Sequence, residues 1–171
     1  RNERTDRNVA LKWMLPRSLL RTGSERTESV ARFVREAKAV SRIDHPNVVA
    51  IHDAGLAADR PFIAMELLHG ESLEQRIART GPMSEREAID TLQQIVRGVA
   101  AAHANGIIHR DLKPANILLC SAERLAKVVD FGISKLKDRA DSLTVTGAIW
   151  GSPPYMSPEQ GIGSSDLDER S

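Results

Sequence analysis

The chain has 171 residues, 41% of them hydrophobic and 27% charged, with a net charge of +1. This is the make-up of a globular protein of one domain, or of one small and one larger lobe. A charge so near zero, with Lys and Arg scattered, provides no field for nucleic acid or a membrane surface. The single cysteine, Cys120, excludes an internal disulfide, suits a reducing compartment, and reads as a small buried hydrophobe beside Leu118 and Leu119. No apolar run is long enough to span a bilayer, and no signal peptide opens the chain.

The first element is legible in "NVALKWML" (8–15). Val9, Leu11, Trp13 and Leu15 alternate with Ala10, Lys12 and Met14, which is the period of a strand and puts Lys12 on the face of the small Ala10. Pro16 ends it. Residues 26–42 predict a helix, because Val30, Phe33, Val34, Ala37 and Val40 keep helical spacing. Glu36 falls on that apolar stripe, where a carboxylate needs a cationic partner. "DHPN" (44–47) breaks the helix, and 48–55 and 61–68 read as two strands across a short polar turn. Gly70 loosens the chain. A long helix follows over about 84–105, opened by a Ser84–Glu87 capping box and stopped by Asn105-Gly106. Ile89, Leu92, Val96, Val99 and His103 trace one of its faces. Strand-like runs at 116–119 and 126–131 and a polar stretch over 134–152 come next. The order is α+β: a small sheet-plus-helix lobe over 1–68, then a mainly helical one over 69–171.

The stretch "IIHRDLKPANILL" (107–119) threads five polar side chains between two apolar runs. Asp111 and Asn116 lie five apart with Lys113 between them, and Asp130 closes an apolar run just before Phe131 and Gly132. Oxygen donors from an Asn and an Asp suit a hard cation such as Mg²⁺, which takes few protein ligands beside phosphate oxygens. Asp111 can accept a hydroxyl proton, Lys113 and Lys12 can hold phosphate charge, and Glu36 is the natural partner for Lys12. Singly, each has a plainer reading. Lys12 would be a solvated strand lysine, Glu36 a surface acid, and Asp111, Asn116 and Asp130 turn and cap residues. His109 reads as a buried ring anchoring the loop. His45, His52, His69 and His103 make no metal-ligand pattern.

"VALK", "HRDLKPAN", "DFG" and "SPE" come in the order of the protein-kinase signature set. The chain resembles the eukaryotic-type serine/threonine protein kinases along essentially its whole length, and "YMSPEQ" looks more like the bacterial members. The resemblance implies an incomplete protein-kinase-like two-lobe fold that binds ATP and Mg²⁺ and phosphorylates Ser or Thr hydroxyls of proteins. It implies that Lys12 holds the α- and β-phosphates and pairs with Glu36. Asp111 would be the catalytic base, Lys113 would neutralise the transferring phosphoryl group, and Asn116 and Asp130 would hold Mg²⁺. Met65 would be the gatekeeper, Glu66 and Leu68 would offer backbone hydrogen bonds to adenine, and Ala10 and Leu118 would sandwich the ring. Lys113 favours a Ser/Thr over a Tyr enzyme, and Ser152 would sit near Asp111 and Lys113. Arg110 is at a position that often receives a phosphate, and Thr144 and Thr146 look like phosphorylation sites.

The family's Gly-rich loop should precede Lys12, yet the eleven residues before it hold no Gly. The chain is therefore expected to be a fragment cut at both ends, weakly active or inactive alone, because losing one well-aimed donor costs on the order of 10²–10³ in rate elsewhere. The apolar face of the 84–105 helix is then expected to be partly exposed, and Glu159 to lack its usual Arg partner. The rival reading is an inactive kinase fragment serving as a binding or scaffold module, which loss of ATP binding would favour. A small-molecule phosphotransferase would generally lack the full "DFG" and "SPE" motifs, and a pseudokinase would usually have lost one of the Lys or Asp roles kept here. The chain is expected to be cytoplasmic, with any membrane anchor of its parent protein outside it. The sequence does not indicate an oligomeric state.

Overall fold

The computed structural model describes residues 8–13, 24–121, 125–131, 152–162, 164 and 167–171. The readings on Met14, Leu15, Pro16, Gly132, Thr144, Thr146 and most of the polar stretch 134–152 lie outside them. Strands β1 (Val9–Trp13), β2 (Ile51–Ala57) and β3 (Arg60–Glu66) form an antiparallel sheet in the order β1-β3-β2. Helix α1 (Ser24–Val40) packs on it. It buries Phe33, Ala37 and Val40, one stripe at helical spacing, and Phe33 and Ala37 join Ala54 and Ile63 of the sheet in one apolar cluster. Trp13 packs against Phe62, with ring centroids 5.9 Å apart, and Arg60 lies over the Trp13 ring at 5.1 Å.

Residues 48–50 do not begin β2 as the alternation predicts. They turn to the other half of the molecule: Val49 N–H donates to Val128 O at 3.0 Å, and Val128 N–H donates to Asn47 O at 2.8 Å. Val48 and Val49 are both buried there, so core packing wins over continuation of the strand. That half is built on a second antiparallel sheet, β4 (Gly70–Ser72), β5 (Ile117–Cys120) and β6 (Ala126–Val128), in the order β4-β5-β6. Helix α2 (Leu73–Thr80) follows β4 directly. Sequence reading overlooked it, although Ser72 and Gln75 form a capping box that was legible. Helix α3 (Glu85–Ala104) begins at the predicted Ser84–Glu87 box. A short helix α4 (Pro158–Gly161) lies near the end of the described residues.

The buried face of α3 is Ile95, Gly98 and Ala102. The stripe singled out from the sequence is partly exposed, as expected: Ile89, Leu92 and Val96 are 48%, 59% and 57% exposed, while Val99 of the same stripe packs against the core. The α3 core face meets Asn47, which is itself 3% exposed. Asn47 Nδ2 donates to Gln94 Oε1 at 3.1 Å and to Ala126 O at 2.9 Å, and Ala126 N–H donates to the same Gln94 oxygen at 2.9 Å. This satisfied buried network ties the α1–β2 connection, α3 and β6 together. Among the described residues no helix is long and apolar enough to cross a membrane.

The contact between α3 and Asn47 requires Gly98, where a Cβ would stand 2.5 Å from Asn47 O. Gly98→Ala is expected to destabilise the chain by about 1–3 kcal/mol in urea melts. Gly161→Ala, where a Cβ meets nothing within 4 Å, is expected to shift stability by less than about 0.5 kcal/mol. Equal effects from the two would contradict the packing described.

Candidate active site

The polar loop between α3 and β5 is anchored by His109, which is 3% exposed. Asp111 N–H donates to His109 Nδ1 at 3.2 Å, so that nitrogen carries no proton. The remaining nitrogen, Nε2, is 3.0 Å from Val129 O and is the donor of the pair. A neutral imidazole thus joins the backbone of Asp111 to the residue just before Asp130. Its ring rests on Phe131 with centroids 4.8 Å apart. The reading of His109 as a buried anchor agrees with this geometry.

Asp111 is surrounded by the residues that the sequence grouped with it. Asn116, 6% exposed, donates through Nδ2 to Asp111 O at 2.7 Å and to Asp111 Oδ2 at 3.0 Å. Lys113 Nζ stands 3.4 Å from the same Oδ2 and donates to Ser152 Oγ at 2.8 Å. Asn116 O accepts from Val129 N–H at 2.9 Å, which carries the loop to the foot of Asp130. Two residues here adopt left-handed backbone, Arg110 at φ 62 and Asp130 at φ 55. Such conformations in non-glycine residues persist where surrounding contacts over-determine them. For Arg110 one such contact is Gln160 Nε2, which donates to its carbonyl at 3.2 Å.

Lys12 is not paired with Glu36. Its Nζ lies 2.8 Å from Asp130 Oδ1. The left-handed turn at Asp130 brings its carboxylate to the cavity lined by Lys12, Phe33, Val49, Ile63, Met65 and Phe131. Glu36 Oε2 is instead buried without a hydrogen-bond partner, and so is Arg110 Nε. Burial pushes the Glu36 carboxyl above its ordinary value, against the pull of Arg110 first and then Arg35 and Arg32. The expected Lys12–Glu36 pair is thereby corrected: each partner faces a different charge. The Glu159 carboxyl is held below the usual range by its own backbone N–H first, then by the hydroxyls of Ser157 and Ser171.

Met65 and Glu66 end β3, opposite Ala10 and Val9 of β1. Leu68 is half-buried two residues beyond. Leu118 is half-buried on β5, opposite Lys127. Sequence reading missed Gln160 and Lys127. The first could have been found from the Ser-x-x-Gln box at Ser157; the second carries no local signal, because its partner is Glu66.

The family profile described as protein kinase domain matches residues 1–169. Serine/threonine-protein kinase pkn3 of Myxococcus xanthus is 45% identical over 173 residues, covering 97% of this chain and 30% of that protein. Serine/threonine-protein kinase PknB of Mycobacterium tuberculosis is 40% identical over 177 residues, covering 100% of this chain and 27% of that protein. The chain therefore spans less than a third of the length of these relatives. The crystal structure of the Mycobacterium tuberculosis PknI kinase domain superposes with a TM-score of 0.71 at 29% identity, over 95% of this chain and 57% of that one. Rad53 1-466, crystallised in complex with AMP-PNP, superposes at 0.61 with 28% identity, over 73% of this chain and 31% of that one.

His109→Phe keeps the ring and removes both hydrogen bonds. It is expected to cost about 2 kcal/mol in denaturant melts, and a change within about 0.5 kcal/mol would contradict the anchoring role. For Glu36 the sign follows from its raised value. The folded state holds the proton more tightly, so this group favours folding below its ordinary value of 4.5 and loses that advantage as pH rises through the raised one. Glu36→Gln is expected to melt above the native chain at pH 7, with the gap closing below pH 4.5. A gap that widens on acidification would contradict this.

Proposed function

We propose that this chain, which belongs to the protein kinase domain family, carries the catalytic residues of a serine/threonine protein kinase that transfers the γ-phosphoryl group of ATP to a Ser or Thr hydroxyl of a protein. The observation that carries the reading is the cluster around Asp111. Its carboxylate is oriented by Asn116 at 3.0 Å and faced by Lys113 at 3.4 Å, while Lys113 also reaches Ser152 at 2.8 Å. A carboxylate beside a lysine is equipped to take a hydroxyl proton while the cation offsets phosphoryl charge.

The substrate hydroxyl oxygen would bond to the γ-phosphorus, and the bond from that phosphorus to the bridging oxygen would break with its electron pair leaving on ADP. The hydroxyl proton would pass to Asp111. Lys113 would stand beside the transferring group, and Ser152 would orient Lys113. Lys12 would hold the α- and β-phosphates. Glu66 and Leu68 would present backbone groups to adenine between Ala10 and Leu118, with Met65 behind. The donor set fits Mg²⁺: Asn116 commits its Nδ2 to Asp111 and keeps its amide oxygen, and Asp130 adds a carboxylate. When bound, held by Asn116 and Asp130, the ion would neutralise phosphate charge. That the Rad53 neighbour was crystallised in complex with AMP-PNP supports a nucleotide as ligand.

Residues 1–68 would contribute to the small lobe and 69–171 to the large one. Thr144 and Thr146 are the proposed phosphorylation sites. A phosphate there would bring a charge of about −1.5 to −2 toward Arg110, whose Nε is buried without a partner.

Intact mass after incubation with Mg-ATP tests this. The chain is expected to gain phosphate slowly. Asp111→Asn is expected to slow the gain by about 10²–10⁴, and Lys12→Met to weaken ATP binding in calorimetry. Phosphate gain at an undiminished rate in Asp111→Asn, or a native chain that does not bind Mg-ATP at millimolar concentration, would contradict the proposal.

A further inference from the structure

Lys127 is the one charged residue in the run "AKVV" (126–129). Its neighbours in the strand, Ala126 and Val128, are 2% and 0% exposed and face the core. Strand alternation sends Lys127 to the opposite face, where Leu118 lies directly across from it on β5. Lys127 Nζ lies 2.7 Å from Glu66 Oε1, and the two side chains are only 12% and 24% exposed. The same Glu66 oxygen accepts the Ala50 N–H at 2.8 Å, and Glu66 N–H donates to Ala50 O at 2.9 Å. Glu66 is therefore held by backbone on one side and by a cation from the other sheet on the other.

The plain alternative is an ion pair of no consequence, which is the rule for exposed pairs. Three observations count against it. Both side chains are mostly removed from water. The carboxylate oxygen is shared with a backbone donor, which makes the contact a charge-assisted network and not a lone pair. Finally, the partners belong to different sheets: Glu66 ends β3 and Lys127 lies on the strand that runs into Asp130. Loss of either partner would leave the other charge half-buried and uncompensated.

We propose that the Glu66–Lys127 pair is a strut that fixes the end of β3 against the strand leading to Asp130, and so sets the position of the backbone that receives the adenine ring. Lys127 is a positioning residue, touching neither the nucleotide nor the reacting atoms. The nucleotide half of the proposal rests on the ATP-site reading above; the strut itself does not. Slack at this joint shifts the end of β3 against Leu118, which lies across from Lys127 on β5, and so loosens the two walls proposed to hold adenine. The loss therefore falls on binding of the base.

The test compares the full native chain with Lys127→Met and Lys127→Arg. Hydrogen exchange is followed without nucleotide, and calorimetry measures binding of Mg-ATP and of inorganic tripolyphosphate. In Lys127→Met, exchange across 62–69 is expected to rise about tenfold while that of α3 stays unchanged. ATP binding is expected to weaken about tenfold with tripolyphosphate binding unaltered, and Lys127→Arg is expected to recover most of both. Unchanged exchange across 62–69, or a rise shared equally by α3, would overturn the strut. So would equal losses for ATP and tripolyphosphate, because base positioning would then not be what the pair provides. A local rise in exchange in a protein whose native form binds no Mg-ATP would support the strut and overturn the ATP-site reading instead.

Discussion

His109 uses both ring nitrogens on backbone groups, accepting from Asp111 N–H and donating to Val129 O. That arrangement requires a neutral ring with its proton on Nε2, since a charged imidazole has no acceptor. The two segments it joins bear Asp111 and Asp130, the two acids to which the proposal gives chemical roles. Asn116 runs parallel to it, accepting from Val129 N–H and donating to Asp111. Two buried polar residues thus hold the polar loop that carries Asp111 against an apolar strand.

The apolar runs either side of the loop make this possible. Ile117 and Val128 are 2% and 0% exposed and share one cluster with Ile95, Ala102 and Phe131. The cluster also contains Val40, Ile43 and Val48, so the end of α1 is packed into the same core as the strands that flank the Asp111 loop. The Asn47–Gln94–Ala126 network fixes that junction from the polar side. The half of the molecule bearing Lys12 is therefore joined to the half bearing Asp111 by packed side chains and by backbone pairing at Val49 and Val128.

Much of this was legible in the chain. The alternation in "VALKW" marked β1, the Ser84–Glu87 box marked the start of α3, and the spacing of Asp111, Lys113 and Asn116 marked a site that the fold brings together. What was not legible depends on distance in the chain. Strand periodicity extended β2 back to Val48 because nothing local shows that Val128 competes for that backbone. Exposure of Ile89, Leu92 and Val96 on α3 was expected, but burial of the face carrying Gly98, where only a missing Cβ allows Asn47 to approach, has no local signal. Glu36 was assigned to Lys12 by charge and helix face alone, and the left-handed turn that carries Asp130 to Lys12 has no sequence signature of its own.

The most direct measurement is the protonation of His109 by ¹⁵N-detected NMR of the imidazole nitrogens in the full chain at pH 7. The account predicts a neutral ring with its proton on Nε2 and an unprotonated, hydrogen-bonded Nδ1. A proton on Nδ1, or a ring carrying both, would mean that Asp111 and the Asp130 strand are not joined in this way.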